Sequence, residues 1–199
     1  MVYRIYQQVK HPTMRSILLT VLLFSMVACS FNGKSDKGAD DEFVRYFNNL
    51  KQVPLPFSYN SANEKPTNLT TDYNETVFEK YKQAWTVKPY GRLFKTDKYY
   101  ATVEISIGDN GPVPYYMTYD EKGDKIDSLN AYDKAGSDIG YNSIEYVIVN
   151  ASKEITVIDS TTVWKINKEG TDIIPNTDSL SVGKAIYRIE ENGKFKKIK

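Results

Sequence analysis

Histidine and cysteine are nearly missing from this chain of 199 residues, which has one of each, His11 and Cys29. Nucleophilic catalysis by serine or cysteine usually needs a histidine base, and structural zinc sites use cysteine and histidine ligands. If the chain is cleaved before Cys29, the folded part has no histidine and no second thiol for a disulfide. Histidine- and cysteine-dependent catalysis is therefore excluded in the mature chain, which leaves carboxylate, tyrosine, lysine or oxygen-ligated metal chemistry.

A long apolar run is also missing, because the apolar stretch near the N-terminus covers only Ile17–Ala28. A membrane-spanning helix needs about 20 apolar residues. The stretch follows several basic residues and no acidic one, an order that is typical of a secretion signal peptide. We therefore expect a signal peptide at residues 1–28, with Met1 and Met14 as alternative starts of translation.

The end of this stretch, Met26-Val27-Ala28-Cys29, resembles the bacterial lipobox, with Met26 where leucine is usual. The resemblance implies cleavage before Cys29 and acylation of Cys29 with fatty acids such as palmitate. Several acyl chains make a stable anchor in a lipid bilayer, whereas one chain is marginal. Ser30 after the cysteine is similar to the pattern that directs lipoproteins to the outer membrane of Gram-negative bacteria, so an outer-membrane location is implied.

An excess of basic charge is absent as well. Removal of residues 1–28 takes away three of the 26 basic residues and none of the 25 acidic ones. Proteins that bind nucleic acid show a concentrated patch of basic residues, and the composition of this chain does not indicate such a patch. We therefore expect no nucleic acid among its partners.

The mature chain divides into a tether and one domain. Residues 29–42 are small, polar and charged, which predicts a lipidated flexible tether. Residues 43–199 have the length of one domain with a full core. A first helix is predicted at Phe43–Lys51, and a second is predicted to begin after Asp72 as its N-cap, with Glu75 completing a capping box. The first of these segments resembles the opening of uncharacterised bacterial surface or periplasmic lipoproteins.

The rest of the domain carries strand signals. Apolar and polar residues alternate over Tyr99–Ile107, which predicts a strand with one buried face. Glycine-containing turns such as Asn192-Gly193 follow at short intervals and favour hairpins. The prediction is a mainly β fold: an antiparallel meander forming an open barrel or sandwich, with one or two short N-terminal helices.

Tyrosine is abundant, with 16 in the chain. Exposed tyrosine rings can bind sugars or peptides, because they combine an apolar face with a polar tip. The other interpretation is that tyrosine simply favours strands and lines the core. The candidate ligand-binding residues cluster around the first hairpins and are Tyr99, Tyr100, Tyr115, Tyr116 and Tyr119.

Three serines are candidates for modification. Asp127-Ser128-Leu129, Asp159-Ser160-Thr161 and Asp178-Ser179-Leu180 resemble the Asp-Ser/Thr-apolar tripeptide that some Gram-negative bacteria O-glycosylate in exported proteins. The second departs from that pattern, because its third residue is not apolar. The alternative is that aspartate and serine lie at strand ends and turns. The candidate O-glycosylation sites are Ser128, Ser160 and Ser179.

Three functions stay open at this point, and none of them requires a cofactor or metal. The first is a non-catalytic binding or envelope-interaction module for glycan or protein ligands. The second is a structural or accessory subunit of an envelope complex without a small-molecule site. The third is a small glycoside hydrolase, which needs two carboxyl groups about 5–9.5 Å apart; the candidate carboxylates are Glu104, Glu145, Glu154 and Asp159.

Overall fold

The computed structural model describes residues 37–62, 70–108 and 111–199. The predicted signal peptide, the candidate lipidation site Cys29 and the first part of the predicted tether lie outside these residues. Within the described ranges, no helix is long and apolar enough to cross a bilayer.

Two helices and ten strands form over the described ranges. In chain order they are α1 Lys37–Asn49, β1 Phe57–Asn60, α2 Glu75–Tyr81, β2 Thr86–Lys95, β3 Tyr100–Gly108, β4 Gly111–Tyr119, β5 Lys125–Asn130, β6 Gly136–Asp138, β7 Tyr141–Val149, β8 Glu154–Val163, β9 Ser179–Ile189 and β10 Phe195–Lys197.

The strands build two antiparallel sheets that share one core. One sheet has the order β2-β3-β4-β5, and the other has the order β1-β7-β8-β9-β10 with β6 also paired to β7. Ala101, Val103 and Ile105 of β3 pack in the same apolar cluster as Val147 of β7 and Ile155 of β8. The predicted fold class is confirmed in its sandwich form, since the two sheets stay separate and face each other.

A second core lies on the other face of the four-stranded sheet. Phe43 and Phe47 of α1 and Phe78 of α2 pack there with Tyr100 and Met117 of the sheet. The Phe43 and Tyr100 rings meet edge to face with 5.4 Å between their centroids, a favoured aromatic geometry. Strand β3 is therefore buried on both faces, whereas its alternation predicted one.

Both helices begin at residues other than those predicted. α1 begins at Lys37, inside the segment predicted as a tether. α2 is capped by Asn74 rather than Asp72, because the Asn74 side chain accepts a hydrogen bond from the Val77 N–H at 3.1 Å.

Strand β8 runs without a break through Asp159-Ser160-Thr161, which the sequence pattern leaves between two predicted strands, Glu154–Ile158 and Thr162–Asn167. Asp159 and Thr161 are buried on its inner side, where buried polar groups need partners. Lys134 donates to Asp159 Oδ1 at 2.8 Å, and the hydroxyls of Ser143 and Thr161 lie 2.7 Å apart. These partners allow polar residues inside the sandwich.

Candidate ligand-binding cleft

Four of the five tyrosines predicted as an exposed platform are buried. Tyr99 and Tyr116 lie in the sandwich core, and Tyr100 and Tyr119 lie in the core beneath the helices. Their placement agrees with the alternative interpretation, in which tyrosine lines the core. The prediction of an exposed platform is therefore wrong for these four rings. Tyr115 is half-buried and lines a cleft.

The cleft opens between the two sheets at one end of the sandwich, where β3 ends, β4 begins and β7 begins. Its volume is about 640 Å³, within the range of small-molecule binding sites. One wall comes from the β3–β4 hairpin, and the opposite wall comes from β6, the start of β7 and the residues that follow β1.

Two large apolar side chains stand at the edge of the cleft. Trp85 is 70% exposed and Ile107 is 72% exposed. The Ser106 hydroxyl donates a hydrogen bond to the Trp85 carbonyl oxygen at 2.5 Å, which fixes the backbone of Trp85 beside the hairpin. An indole with a free apolar face is the side chain that stacks best on a sugar ring or another flat apolar surface.

The walls of the cleft, as far as the chain is described, are polar and carry no charged side chain. They combine hydroxyl and amide side chains, which can donate and accept hydrogen bonds. Among the described residues that line the cleft, none carries a carboxylate, an ammonium or a guanidinium group. The described lining therefore offers hydrogen bonds to a ligand and no charged group. The polar lining residues are Ser61, Ser106, Asn130, Ser137, Asn142 and Ser143.

Tyr132 lies at the floor of the cleft and is buried. Its ring stacks beside that of Tyr59, with 6.4 Å between the centroids. The hydroxyls of Tyr132, Tyr59 and Tyr116 have no hydrogen-bond partner within the described part of the chain. Burial raises the pKa of Tyr132, with smaller contributions from Tyr116 and Tyr59, and burial raises the pKa of Tyr59 to about 12. Burial raises the pKa of Tyr116 as well, so all three phenols are neutral, and Tyr132 is the one of the three that lines the cleft.

Glu145 holds the loop that carries Tyr132 into place. Its carboxylate accepts backbone hydrogen bonds from Asp133 at 3.3 Å, Lys134 at 3.0 Å and Ala135 at 2.8 Å. Three N–H donors on one buried carboxylate are a strong local anchor. The carboxylate of Glu145 is thus engaged by the backbone of residues 133–135 and holds that loop next to Tyr132.

Two of the four candidate carboxylates, Glu145 and Asp159, line one pocket of the protein, and the other two lie elsewhere. Glu145 and Asp159 are direct cross-strand neighbours, and Lys134 joins them through its backbone and its ammonium group. Glu104 is buried beneath the helices, and Glu154 accepts a hydrogen bond from Arg188 at the surface. Over the described residues, no group of three or more acidic, histidine or cysteine side chains is placed to hold a metal ion.

The three candidate serines differ in exposure. Ser179 is exposed at the start of β9, whereas Ser128 and Ser160 are half-buried within β5 and β8. Asp127 is already used, since its carboxylate accepts from the N–H of Phe195 at 2.9 Å and so joins β10 to β5. O-glycosylation of these serines stays a prediction, and Ser179 is the most accessible of the three.

Trp85 and Tyr132 are the cleft residues that the sequence interpretation missed. The sequence pattern places Trp85 beside the apolar stripe of the second predicted helix, and Tyr132 directly follows a predicted strand, Lys125–Ala131, without any motif around it. The one usable signal was that Trp85, one of only two tryptophans, stands beside polar residues and a proline-containing strand.

In comparisons with protein-family models, curated proteins and solved structures, none matches this chain. Support for a function comes from the geometry of the cleft and the chemistry of its walls.

Proposed function

We propose that this protein is an outer-membrane lipoprotein, anchored through acylated Cys29, that acts as a non-catalytic binding module. The ligand we propose is a neutral glycan fragment bound in the cleft between the two sheets. A protein of the cell envelope that carries such a glycan is a partner of the same chemistry.

The observation that carries this proposal is the exposed indole of Trp85 at the edge of a cleft whose described walls are polar and uncharged. Sugars present an apolar ring face and a rim of hydroxyl groups, and they need both kinds of contact. Trp85 and Ile107 offer the apolar contact, while the serine and asparagine side chains of the walls offer donors and acceptors.

Tyr132 supports the same ligand class. A buried hydroxyl without a partner costs free energy, which a ligand hydroxyl or a bridging water can recover. Tyr132 lines the cleft and its ring stacks beside that of Tyr59, and both hydroxyls are buried without a partner among the described residues. Ligand hydroxyl groups that reach this floor would complete the hydrogen bonds that the protein leaves open.

The test is a binding screen of the full chain, purified in detergent, against neutral oligosaccharides, charged oligosaccharides and peptides. Trp85 and Trp164 are the two tryptophans, so in a Trp164→Phe variant the fluorescence reports on Trp85 alone. We expect a neutral saccharide to shift that emission and to raise the melting temperature. Trp85→Ala should weaken binding about tenfold or more, as for an aromatic anchor, and Trp164→Ala should not.

The alternative of a glycoside hydrolase has a different outcome in the same screen. Mass spectrometry of the saccharide after incubation should recover it intact, whereas a hydrolase would shorten it. Absence of any saccharide binding, or equal affinities of the wild type and Trp85→Ala, would count against the proposed cleft.

A further inference from the structure

The indole of Trp85 stands on the short turn that joins α2 to β2, residues 82–85, and two side chains of β3 hold this α2–β2 turn. The Ser106 hydroxyl donates to the Trp85 carbonyl oxygen at 2.5 Å. The Glu104 carboxyl group accepts a hydrogen bond from the Gln83 N–H at 3.0 Å. Side chains two residues apart in a strand point to the same side of the sheet, so Glu104 and Ser106 form one polar row against the turn.

Glu104 also reaches the turn through two neighbouring hydroxyl groups. The Thr86 hydroxyl stands between Glu104 Oε2 and the Gln83 carbonyl oxygen. The Tyr119 hydroxyl stands between Glu104 Oε1 and the carbonyl oxygen of Tyr81, the last residue of α2. Each hydroxyl therefore lies between the carboxyl group and a backbone carbonyl within the turn or directly before it.

The charge of Glu104 decides how many of these carbonyl groups receive a hydrogen bond. An ionised carboxylate can only accept, so it draws both hydroxyl protons away from the carbonyl oxygens of Gln83 and Tyr81. A neutral carboxyl group donates its proton to one hydroxyl, whose own proton then goes to the carbonyl behind it. The neutral form thus adds one hydrogen bond to the turn and leaves no charge in a buried place, where a charge is costly.

Two phenols and one ammonium group face Glu104 from the elements packed against it. Burial is the main cause that raises the pKa of Tyr46 of α1 and of Tyr119 of β4, and the Glu104 carboxyl group raises both further, so both phenols stay neutral. The ammonium group of Lys82 lies on the turn and favours an ionised Glu104, but Lys82 also pairs with Glu79 at 2.9 Å. Burial outweighs these contacts and raises the pKa of Glu104.

We propose that Glu104 is a positioning residue for Trp85, whose protonated carboxyl group holds the α2–β2 turn and the indole at the edge of the cleft and whose deprotonation releases them. Glu104 is not among the described residues that line the cleft, so it acts through the turn and not by contact with a saccharide. The consequence for binding rests on the proposed function: neutral saccharides bind more tightly at low pH.

The direction of this pH dependence follows from the two forms of the turn. The held form buries the carboxyl group, which raises the pKa of Glu104 above its ordinary value of 4.5, whereas release brings the pKa back towards that value. The held form therefore binds the proton more tightly. Its advantage is complete below the ordinary pKa and is lost as pH rises through the raised pKa.

The first test follows Trp85 by fluorine NMR in the full chain, labelled with 5-fluorotryptophan and purified in detergent. The two tryptophans are Trp85 and Trp164, and Trp85→Phe identifies the signal of Trp85 by its absence. We expect this signal to titrate between pH 4.5 and 8 in the wild type and to lose that titration in Glu104→Gln. Glu79→Gln, which removes an exposed carboxylate from α2, is the matched control and should titrate like the wild type. The measurement needs no saccharide, so it decides the role of Glu104 even if the proposed function fails.

The second test measures affinity at pH 5 and pH 8 for the neutral saccharide that shifts the Trp85 emission most in the binding screen. One proton can change the affinity by up to about tenfold per pH unit, and we expect the wild type to lose about threefold or more. Glu104→Gln should bind equally at both pH values, because its amide carries no charge. A Trp85 signal that does not titrate, a titration that persists in Glu104→Gln, or equal affinities of the wild type at pH 5 and pH 8 would overturn the inference.

Discussion

The hydroxyl of Tyr119 lies 2.7 Å from Glu104 Oε1 and 2.9 Å from the carbonyl oxygen of Tyr81. One phenol proton can serve only one of these two acceptors. The Thr86 hydroxyl also has two acceptors within reach, Glu104 Oε2 at 2.5 Å and the Gln83 carbonyl oxygen at 2.8 Å. A proton on Glu104 supplies a donor for one of its two contacts with these hydroxyls, and burial favours this neutral form of the carboxyl group between the helices and the sheet.

Glu104→Gln is predicted to remove a pH dependence of stability. Burial raises the pKa of Glu104 above its ordinary value near 4.5, against hydrogen bonds from Thr86, Tyr119 and Gln83 that lower it. The folded state then binds the proton more tightly than the unfolded state does, so this contribution to stability falls as pH rises above about 4.5. Urea unfolding of the wild type and of Glu104→Gln from pH 4.5 to 8 measures this pH-dependent contribution to stability.

The difference between the wild type and Glu104→Gln should grow with pH in favour of the variant, because the amide can still donate to Tyr119. Glu42→Gln is the control with the opposite sign, since the hydrogen bond from Lys80 lowers the pKa of Glu42 and its contribution is lost as pH falls. Parallel curves for the wild type and Glu104→Gln would show that Glu104 is ionised in the folded protein.

Removal of the Tyr116 hydroxyl is predicted to stabilise the protein. This hydroxyl is buried without a partner in the described structure, and such a group costs about 1–3 kcal/mol. Tyr116→Phe should raise the free energy of unfolding by about 1 kcal/mol. Tyr119→Phe is the matched control and should lower it by about 1–2 kcal/mol, because the Tyr119 hydroxyl bonds to both of its neighbours. A loss of stability in Tyr116→Phe would indicate a bound water at that hydroxyl.

Glu145→Ala is predicted to loosen the loop at the floor of the cleft. The substitution leaves the backbone N–H groups of Asp133, Lys134 and Ala135 without their acceptor. We expect a loss of about 2–3 kcal/mol of stability and faster hydrogen exchange confined to this loop. Glu154→Ala breaks a surface ion pair with Arg188 and should cost less than about 1 kcal/mol. Equal effects of the two substitutions would contradict the anchoring role of Glu145.

Gly183→Ala is predicted to be destabilising through a steric conflict with Asp159. A Cβ atom at residue 183 would lie far inside van der Waals contact with the Asp159 carboxylate, so this side chain and its contact with Lys134 would have to move. We expect a cost of about 1–3 kcal/mol. In an Asp159→Ala background the same substitution should be nearly neutral. A double-mutant cycle by thermal unfolding measures the coupling, and additive effects would contradict the conflict.

The sandwich could be predicted from local patterns because those patterns act over a few residues. Alternation at Tyr99–Ile107 and the Asn192-Gly193 turn each specify a strand or hairpin without reference to the rest of the chain. The same reasoning missed β1, which is short and is stabilised by pairing with β7. It also divided β8 at Asp159, whose burial depends on Lys134 from another part of the chain.

The sequence by itself determined the β-rich class, the few helices and the exclusion of histidine-dependent catalysis in a cleaved chain, because these depend on composition and short-range periodicity. Only the tertiary structure decided which aromatic rings are accessible. Tyr116 and Trp85 are both aromatic residues in or beside strands, yet one is enclosed between two sheets and the other stands at the edge of a cleft. That difference arises from how distant strands pack together, and no local pattern of residues carries it.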